Sequence, residues 1–117
     1  MLKLFHKPVL LKEAIEFLDV KSGEKYIDAT VGGGGHSEAI LKAGGIILGI
    51  DCDPEAIEAA RRRLSSACPG ASWRLARGNF ANLEEIAAGK GFIPAAGILF
   101  DLGVSSYQLE TPRRGFS

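Results

Sequence analysis

The chain has 117 residues, 46% of them hydrophobic, which is enough for one domain with its own core and excludes a disordered tail. Fourteen Lys and Arg residues balance fourteen Asp and Glu residues, which argues against a broad basic surface for nucleic acid without excluding a local patch. No apolar run approaches the roughly 18 residues of a membrane span, and Cys52 and Cys68 form neither a CxxC pair nor a zinc pattern. We therefore expect a soluble, cytoplasmic protein with no metal site.

The predicted elements begin with a helix, because apolar residues recur at positions 11, 14, 15 and 18. After a Ser-Gly turn, "KYIDA" is a short strand, and the glycine run Gly32 to Gly35 separates it from the helix "HSEAILKA". The continuous apolar run "IILGI" predicts a strand that is covered on both faces, as strands of a parallel sheet are.

The second half of the chain repeats this alternation of strand and helix. In "DPEAIEAARRRL", Asp53 is the predicted N-cap and Pro54 the first helical residue. "SWRLARG" is a more polar third strand near a sheet edge, and Asn82 with Glu85 resembles a capping box before a fourth helix. "AAGILF" is the fourth strand. Such alternation predicts right-handed βαβ units, and therefore an α/β fold with a parallel sheet.

The segment "DATVGGGGHS" places glycines between a strand and a helix, where backbone amides and the positive helix end face a ligand above the sheet. A flexible turn without a ligand is the alternative, but four glycines cost backbone entropy. Asp51, roughly 20 residues further on at the end of strand two, suits ribose hydroxyls, or else caps the next turn. The pattern G-x-G-x-x-G fails in both registers, since Ser37 or Glu38 occupies the sixth position, and no P-loop pattern is present.

Two further residues follow strand ends. Phe80 lies just after strand three, where its ring either covers an adenine or packs into the core as a helix-start staple, and the sequence does not separate the two. Asp101 closes strand four. In a sheet ordered 3-2-1-4 that strand lies beside strand one, so a carboxylate there would meet the reacting end of a bound nucleotide, although an aspartate after an apolar strand is also common.

Five segments in this order and spacing resemble the bacterial 16S rRNA (cytosine-N4)-methyltransferase family, also called RsmH or MraW. They are "HKPVLLKEAI", "DATVGGGGHS", "GIDCDPEAI", "GNF" and "FDLGVSSYQLETPRRGFS". The resemblance implies a Rossmann-like class I methyltransferase core, S-adenosyl-L-methionine as the methyl donor, and a cytidine in the decoding region of 16S rRNA, in the small ribosomal subunit, as the acceptor.

The resemblance also implies functional residues. The cofactor positions are Gly34, Gly35, His36, Asp51, Phe80, Asp101 and Gln108. Of these, His36 and Gln108 rest on the resemblance alone. Asp101 is the candidate catalytic acceptor for the hydrogens of the cytosine N4 amine, or it serves the cofactor instead. Tyr107, Arg113 and Arg114 are candidate RNA contacts or a solvated loop, whereas the run Arg61 to Arg63 is predicted to be a solvated helix face.

Members of this family continue beyond the "RGFS" stretch, with further strands and a helical substrate-recognition insertion. Residues 1–117 are therefore expected to be the N-terminal part of a methyltransferase domain, truncated before the remaining strands, with strand four left as an open apolar edge. We expect this fragment to be inactive by itself. Two alternatives stay open, an NAD-dependent oxidoreductase half-domain, which the glycine register disfavours, and a catalytically dead nucleotide-binding module.

Overall fold

The computed structural model describes residues 15–100 and the backbone of residues 103–105. In this part of the chain, strands form one sheet in the order β3-β2-β1-β4-β5. The strands are β1 (Lys25–Asp28), β2 (Ile46–Asp51), β3 (Trp73–Arg77), β4 (Gly97–Phe100) and β5 (Gly103–Ser105). The first four pair in parallel, and β5 runs antiparallel to β4. The predicted α/β class and the order 3-2-1-4 are confirmed.

Helices connect the parallel strands. They are α1 (Gly35–Lys42), α2 (Pro54–Ala67) and α3 (Leu83–Gly89), with residues 15–18 also helical and a short 3-10 helix at Phe80–Asn82. The start of α2 agrees with its prediction, because Asp53 is the N-cap, its carboxylate accepts the Glu55 N–H at 2.9 Å, and Pro54 is the first helical residue.

The predicted capping box at α3 is only half correct. Asn82 is the N-cap residue, but within the described residues its side chain makes no capping hydrogen bond. Its amide instead donates to Glu85 Oε1 at 3.3 Å. The cause is the preceding 3-10 helix, which leaves Asn82 at φ −104° and ψ 15° rather than in the extended conformation that a capping side chain needs.

The sheet is covered on both faces, and each face carries its own apolar cluster. On one face α3 packs through Leu83 and Ala87 against a cluster that includes Leu48 and Ile98. On the other face α1 and α2 pack with a cluster that includes Ile47. Four consecutive residues of β2 are buried, which confirms that "IILGI" is a strand covered on both sides.

The expectation that β4 would form an open apolar edge is wrong. β5 pairs with it, placing Ile98 opposite Ser105 and Phe100 opposite Gly103. The three residues of β5, "GVS", lie in a stretch that reads as a Gly/Ser loop, so the sequence carries no separate strand signal for it. Because β5 makes the backbone hydrogen bonds that an exposed β4 would lack, β4 is an interior strand of the described sheet.

Candidate functional site

Three parallel strands end at the same edge of the sheet. The last residue of β1, Asp28, pairs with Gly49 of β2 on one side and with Leu99 of β4 on the other. Asp51 lies two residues beyond Gly49, at the end of β2. The carboxyl ends of β1, β2 and β4 therefore surround a common region, which is where open α/β sheets bind their ligands.

The turn between β1 and α1, residues 29–34, is hydrogen-bonded to both neighbouring strands. Ala29 N–H donates to Leu99 O of β4 at 2.8 Å, and Val31 N–H donates to Ile50 O of β2 at 2.8 Å. Gly32 N–H donates to Asp51 Oδ2 at 3.0 Å. The glycine turn is therefore hydrogen-bonded across the end of the sheet, to both β2 and β4.

Asp51 uses its carboxylate to hold two backbone segments. Oδ2 accepts the Gly32 N–H, and Oδ1 accepts the Asp53 N–H at 3.0 Å. A carboxylate has about four acceptor positions, so two remain after these bonds are made. The side chain is half-buried at the carboxyl edge. Turn formation and ligand binding are thus compatible roles for Asp51, although the sequence presented them as alternatives.

Helix α1 begins at the glycine turn. Its N-cap is Gly34, in a left-handed conformation at φ 92°, which glycine adopts without the strain of a side chain. An ideal Cβ at Gly34 would lie 3.4 Å from Ala60 Cα, so α2 also passes close to this residue. Because glycine has no side chain to cap the helix, the first N–H groups of α1 suit an external acceptor such as an anionic ligand.

A buried polar pair that the sequence analysis missed lies beneath this turn. Ser37 Oγ donates to Asp28 Oδ2 at 2.8 Å, and the two residues are 0% and 1% exposed. The bond joins the first turn of α1 to the end of β1. The available signal was an aspartate that ends an apolar strand, followed by a serine at the start of the next helix, but their pairing depends on how the glycines fold back.

Arg63 of α2 also reaches the glycine turn. An ideal Cβ at Gly34 would lie 3.6 Å from Arg63 Cδ, and Arg63 Nε donates to Glu38 Oε1 at 2.6 Å. Lys42 forms a second ion pair with Glu38, at 2.8 Å. Hydrogen bonds from Lys42 and then Arg63 lower the pKa of Glu38 below its ordinary value of 4.5.

The sequence predicted that Arg61 to Arg63 are exposed to solvent, and they are, but it did not predict the contact of Arg63 with α1. All three arginines are exposed. Arg61 and Arg62 pair with Glu58 of the same helix, whereas Arg63 joins α2 to α1. Sequence spacing does not reveal a contact between residues 25 positions apart.

The predicted site residues divide into three groups. Gly34, Gly35, His36 and Asp51 lie together at the carboxyl edge, and His36 is half-buried in the first turn of α1. Phe80 begins the 3-10 helix that follows β3. Asp101, Tyr107, Gln108, Arg113 and Arg114 lie outside the described residues.

Among the residues that the structure describes, no group of three or more His, Cys, Asp or Glu side chains is arranged to hold a metal ion. In the same residues, every helix is too short or too polar to cross a lipid bilayer.

Solved structures share this fold. An rRNA methylase from Streptococcus thermophilus matches with a TM-score of 0.65 at 22% identity, over 80% of this chain and 49% of that one. An RNA methyltransferase from Salinibacter ruber, in complex with S-adenosyl-L-homocysteine, matches with a TM-score of 0.60 at 16% identity, over 82% of this chain and 78% of that one. At such identities the likeness is one of fold, a Rossmann-like α/β core.

The chain belongs to the MraW methylase family, whose model matches residues 3–117. It is 53% identical over 117 residues to the ribosomal RNA small subunit methyltransferase H of Thermomicrobium roseum, covering 96% of this chain and 35% of that relative. The enzyme of the same name from Halothermothrix orenii is 48% identical over 117 residues, covering 97% of this chain and 37% of that relative. The chain thus spans about a third of the length of these relatives.

Proposed function

We propose that this chain supplies the S-adenosyl-L-methionine-binding part of an enzyme that methylates the N4 amine of a cytidine in the decoding region of 16S rRNA. The observation that carries the proposal is the hydrogen bond between Asp51 and the Gly32 amide, at the common edge of β1, β2 and β4. Membership of the MraW methylase family supports the proposal, as does the name of the relatives, ribosomal RNA small subunit methyltransferase H. Membership of this family also makes an NAD-dependent oxidoreductase the weaker hypothesis.

The described residues suit the parts of this cofactor. The remaining acceptor positions of Asp51 suit the two hydroxyls of a ribose. The first amides of α1, at Gly35 and His36, suit the carboxylate at the amino-acid end of the cofactor, because a helix start attracts negative charge. Phe80 is proposed to cover the adenine, and Gln108 to contact the cofactor.

When bound, the cofactor supplies a methyl group on a positively charged sulfur. The cytosine N4 would take up that methyl group and would release one proton to solvent. Much of the rate enhancement in such a transfer comes from holding the two reactants in line. Asp101 is the proposed acceptor that orients the N4 hydrogens, and Tyr107, Arg113 and Arg114 are the proposed RNA contacts. Replacing Asp101 by Asn in the full-length enzyme should lower kcat, and normal turnover with normal cofactor affinity would remove Asp101 from the mechanism.

We further propose that these 117 residues alone do not methylate RNA, because they correspond to about a third of the relatives' length. Cofactor binding and turnover are then separable measurements. Methylation of purified small-subunit rRNA by the isolated chain would refute this statement. If the full-length protein also binds the cofactor but transfers no methyl group, the catalytically dead nucleotide-binding module becomes the better hypothesis.

Calorimetric titration with S-adenosyl-L-homocysteine and, separately, with NAD tests cofactor choice. We expect one site for S-adenosyl-L-homocysteine and no measurable NAD binding. Asp51→Asn keeps the shape of the side chain but removes its charge and one acceptor oxygen, and should weaken binding at least tenfold. Asp53→Ala is the matched control, because it removes a neighbouring carboxylate that caps α2. Equal losses in the two variants, or tighter binding of NAD, would contradict the proposal.

A further inference from the structure

A concave site lies at the edge of the sheet opposite the glycine turn. It is a cavity of about 530 Å³ lined by the first residues of three parallel strands, Lys25, Ile46 and Trp73, and by the segment that follows α3. Ile46 and Asp51 are the two ends of β2, and at about 3.3 Å per residue their separation is roughly 17 Å. The cavity is therefore distinct from the proposed cofactor site at the carboxyl edge.

The charge of this cavity differs from that of the whole chain, which has a formal net charge of zero. Its lining includes the exposed cations Lys25, Arg74 and Lys90, and none of the described residues that line it is acidic. Within residues 15–100, neither Arg74 nor Lys90 forms an ion pair, whereas Arg61 and Arg62 on α2 both pair with Glu58. The cavity is thus a local basic site on a neutral domain, and it suits an anion.

Aromatic rings lie among these cations. Phe92 is buried, and Lys25 Nζ lies 5.7 Å from the centre of its ring while donating to Gly91 O at 2.6 Å. Lys25 is therefore held in place at the cavity. Trp73 also lines the cavity and is half-buried, and its other contacts include the apolar cluster around Ile47. A flat aromatic surface beside several cations is the combination with which proteins bind single-stranded nucleic acid.

We propose that this cavity, which we call the amino-edge groove (Lys25, Trp73, Arg74, Lys90 and Phe92), binds a single-stranded segment of the substrate RNA. Arg74 and Lys90 contact phosphates, and a base stacks on Trp73. The inference rests on the proposed rRNA substrate, and it adds an RNA contact remote from the reaction site. A binding site on this side of the sheet holds the RNA without occupying the crevice where the methyl group is transferred.

The groove contains its own spectroscopic probe, because Trp73 is the only tryptophan in the sequence. Titrating the chain with a ten-nucleotide oligouridine at low salt should quench Trp73 emission as a base stacks on the indole. Binding should weaken steeply with added salt, since each phosphate contact contributes about 0.7 to the slope of log K against log salt for a single strand.

Charge-matched double variants test the location of the site. Arg74→Glu with Lys90→Glu should weaken oligouridine binding at least tenfold and abolish the quenching. Arg61→Glu with Arg62→Glu changes the net charge by the same amount on α2 and should alter affinity by less than twofold. Circular dichroism tests whether both variants fold. If the first does not, Arg74→Gln with Lys90→Gln replaces it, and the salt slope should then fall by about 1.4, the value for two lost phosphate contacts.

Equal losses in the two double variants would overturn the proposal, because binding would then follow net charge alone. Binding seen by fluorescence anisotropy with unchanged Trp73 emission would overturn it as well. A parallel titration with S-adenosyl-L-homocysteine separates the two proposals. A chain that binds oligouridine through Arg74 and Lys90 but no S-adenosyl-L-homocysteine refutes the proposed function alone. A chain that binds S-adenosyl-L-homocysteine, while the Arg74 and Lys90 variants keep full RNA affinity, refutes the groove alone.

Discussion

Replacing Gly49 by Ala should disturb the glycine turn from beneath. Gly49 is a buried residue of β2, and a Cβ added there would lie 2.7 Å from Val31 Cγ2 and 2.9 Å from Leu75 Cδ2. Ordinary carbon contacts lie at about 3.5–4.0 Å, so Val31 would have to move by roughly 1 Å. Val31 is held by its hydrogen bond to Ile50 O at 2.8 Å, and the movement would be transmitted to Gly32 and its bond to Asp51.

Overpacking of this kind costs about 1–3 kcal/mol, so Gly49→Ala should lower the free energy of unfolding by that amount. Urea denaturation followed by Trp73 fluorescence measures the change. Gly33→Ala is the matched control, because Gly33 lies in the same turn, has no left-handed φ, and has open space where its Cβ would be. The control should change stability by less than about 0.5 kcal/mol.

A double-mutant cycle tests whether contact between the added Cβ at position 49 and Val31 causes the loss of stability. Removing the Val31 methyl groups should relieve it, so Gly49→Ala combined with Val31→Ala should be more stable than the sum of the single changes predicts, by at least about 0.5 kcal/mol. Gly49→Ala should also weaken S-adenosyl-L-homocysteine binding, since the turn moves. If Gly49→Ala is as stable as the wild type, or if the two changes are strictly additive, the packing of Val31 on Gly49 does not position the turn.

Three further predictions concern stability. Ser37→Ala removes the hydroxyl that donates to the buried Asp28 carboxylate and should cost about 1–3 kcal/mol by urea denaturation, and a change within error would contradict this. The pKa of Glu38 is lower in the folded than in the unfolded chain, so its ionised form stabilises the fold above pH 4.5 and that contribution is lost as the pH falls through the folded pKa. The difference in unfolding free energy between wild type and Glu38→Gln should therefore shrink below pH 4.5, and a constant difference would refute the pairing. Asp53→Ala removes the side chain that caps α2 and should lower the free energy of unfolding by about 1 kcal/mol. Asn82→Ala removes no capping bond and should lower it by less than about 0.5 kcal/mol. Equal shifts in Tm for the two variants would contradict the observed capping.

Features that depend on neighbouring residues were predictable from the sequence. The buried run "IILGI", the Asp53-Pro54 helix start and the regular alternation of strands with helices each carry a local signal, and together they predicted an α/β fold with a parallel sheet. The strand order 3-2-1-4 came from the Rossmann-type layout, and the structure has that order. The carboxyl-edge position of Asp51 followed from the same order, because parallel strands end at one edge.

Features that depend on distant residues were not predictable. The contact of Arg63 with Glu38 and the glycine turn requires α2 to pack beside α1, which no spacing rule specifies. The pairing of Asp28 with Ser37 depends on the path of the glycines between them.

The capping bond predicted for the Asn82 side chain does not form among the described residues, and the cause is local. A 3-10 helix, which the residue pattern did not indicate, precedes α3 at this point. The contacts that the sequence did not predict are mainly those between residues far apart in the chain.

The hydrogen bonds of residues 29–34 tie the glycine turn to two strands of the sheet, so the turn should unfold together with the sheet. Ala29 is bonded to β4, and Val31 and Gly32 are bonded to β2, so this loop cannot detach while both strands keep their bonds. A nucleoside bound there would restrain three strands at once, and ligand binding should raise the resistance of the entire sheet to proteolysis and hydrogen exchange.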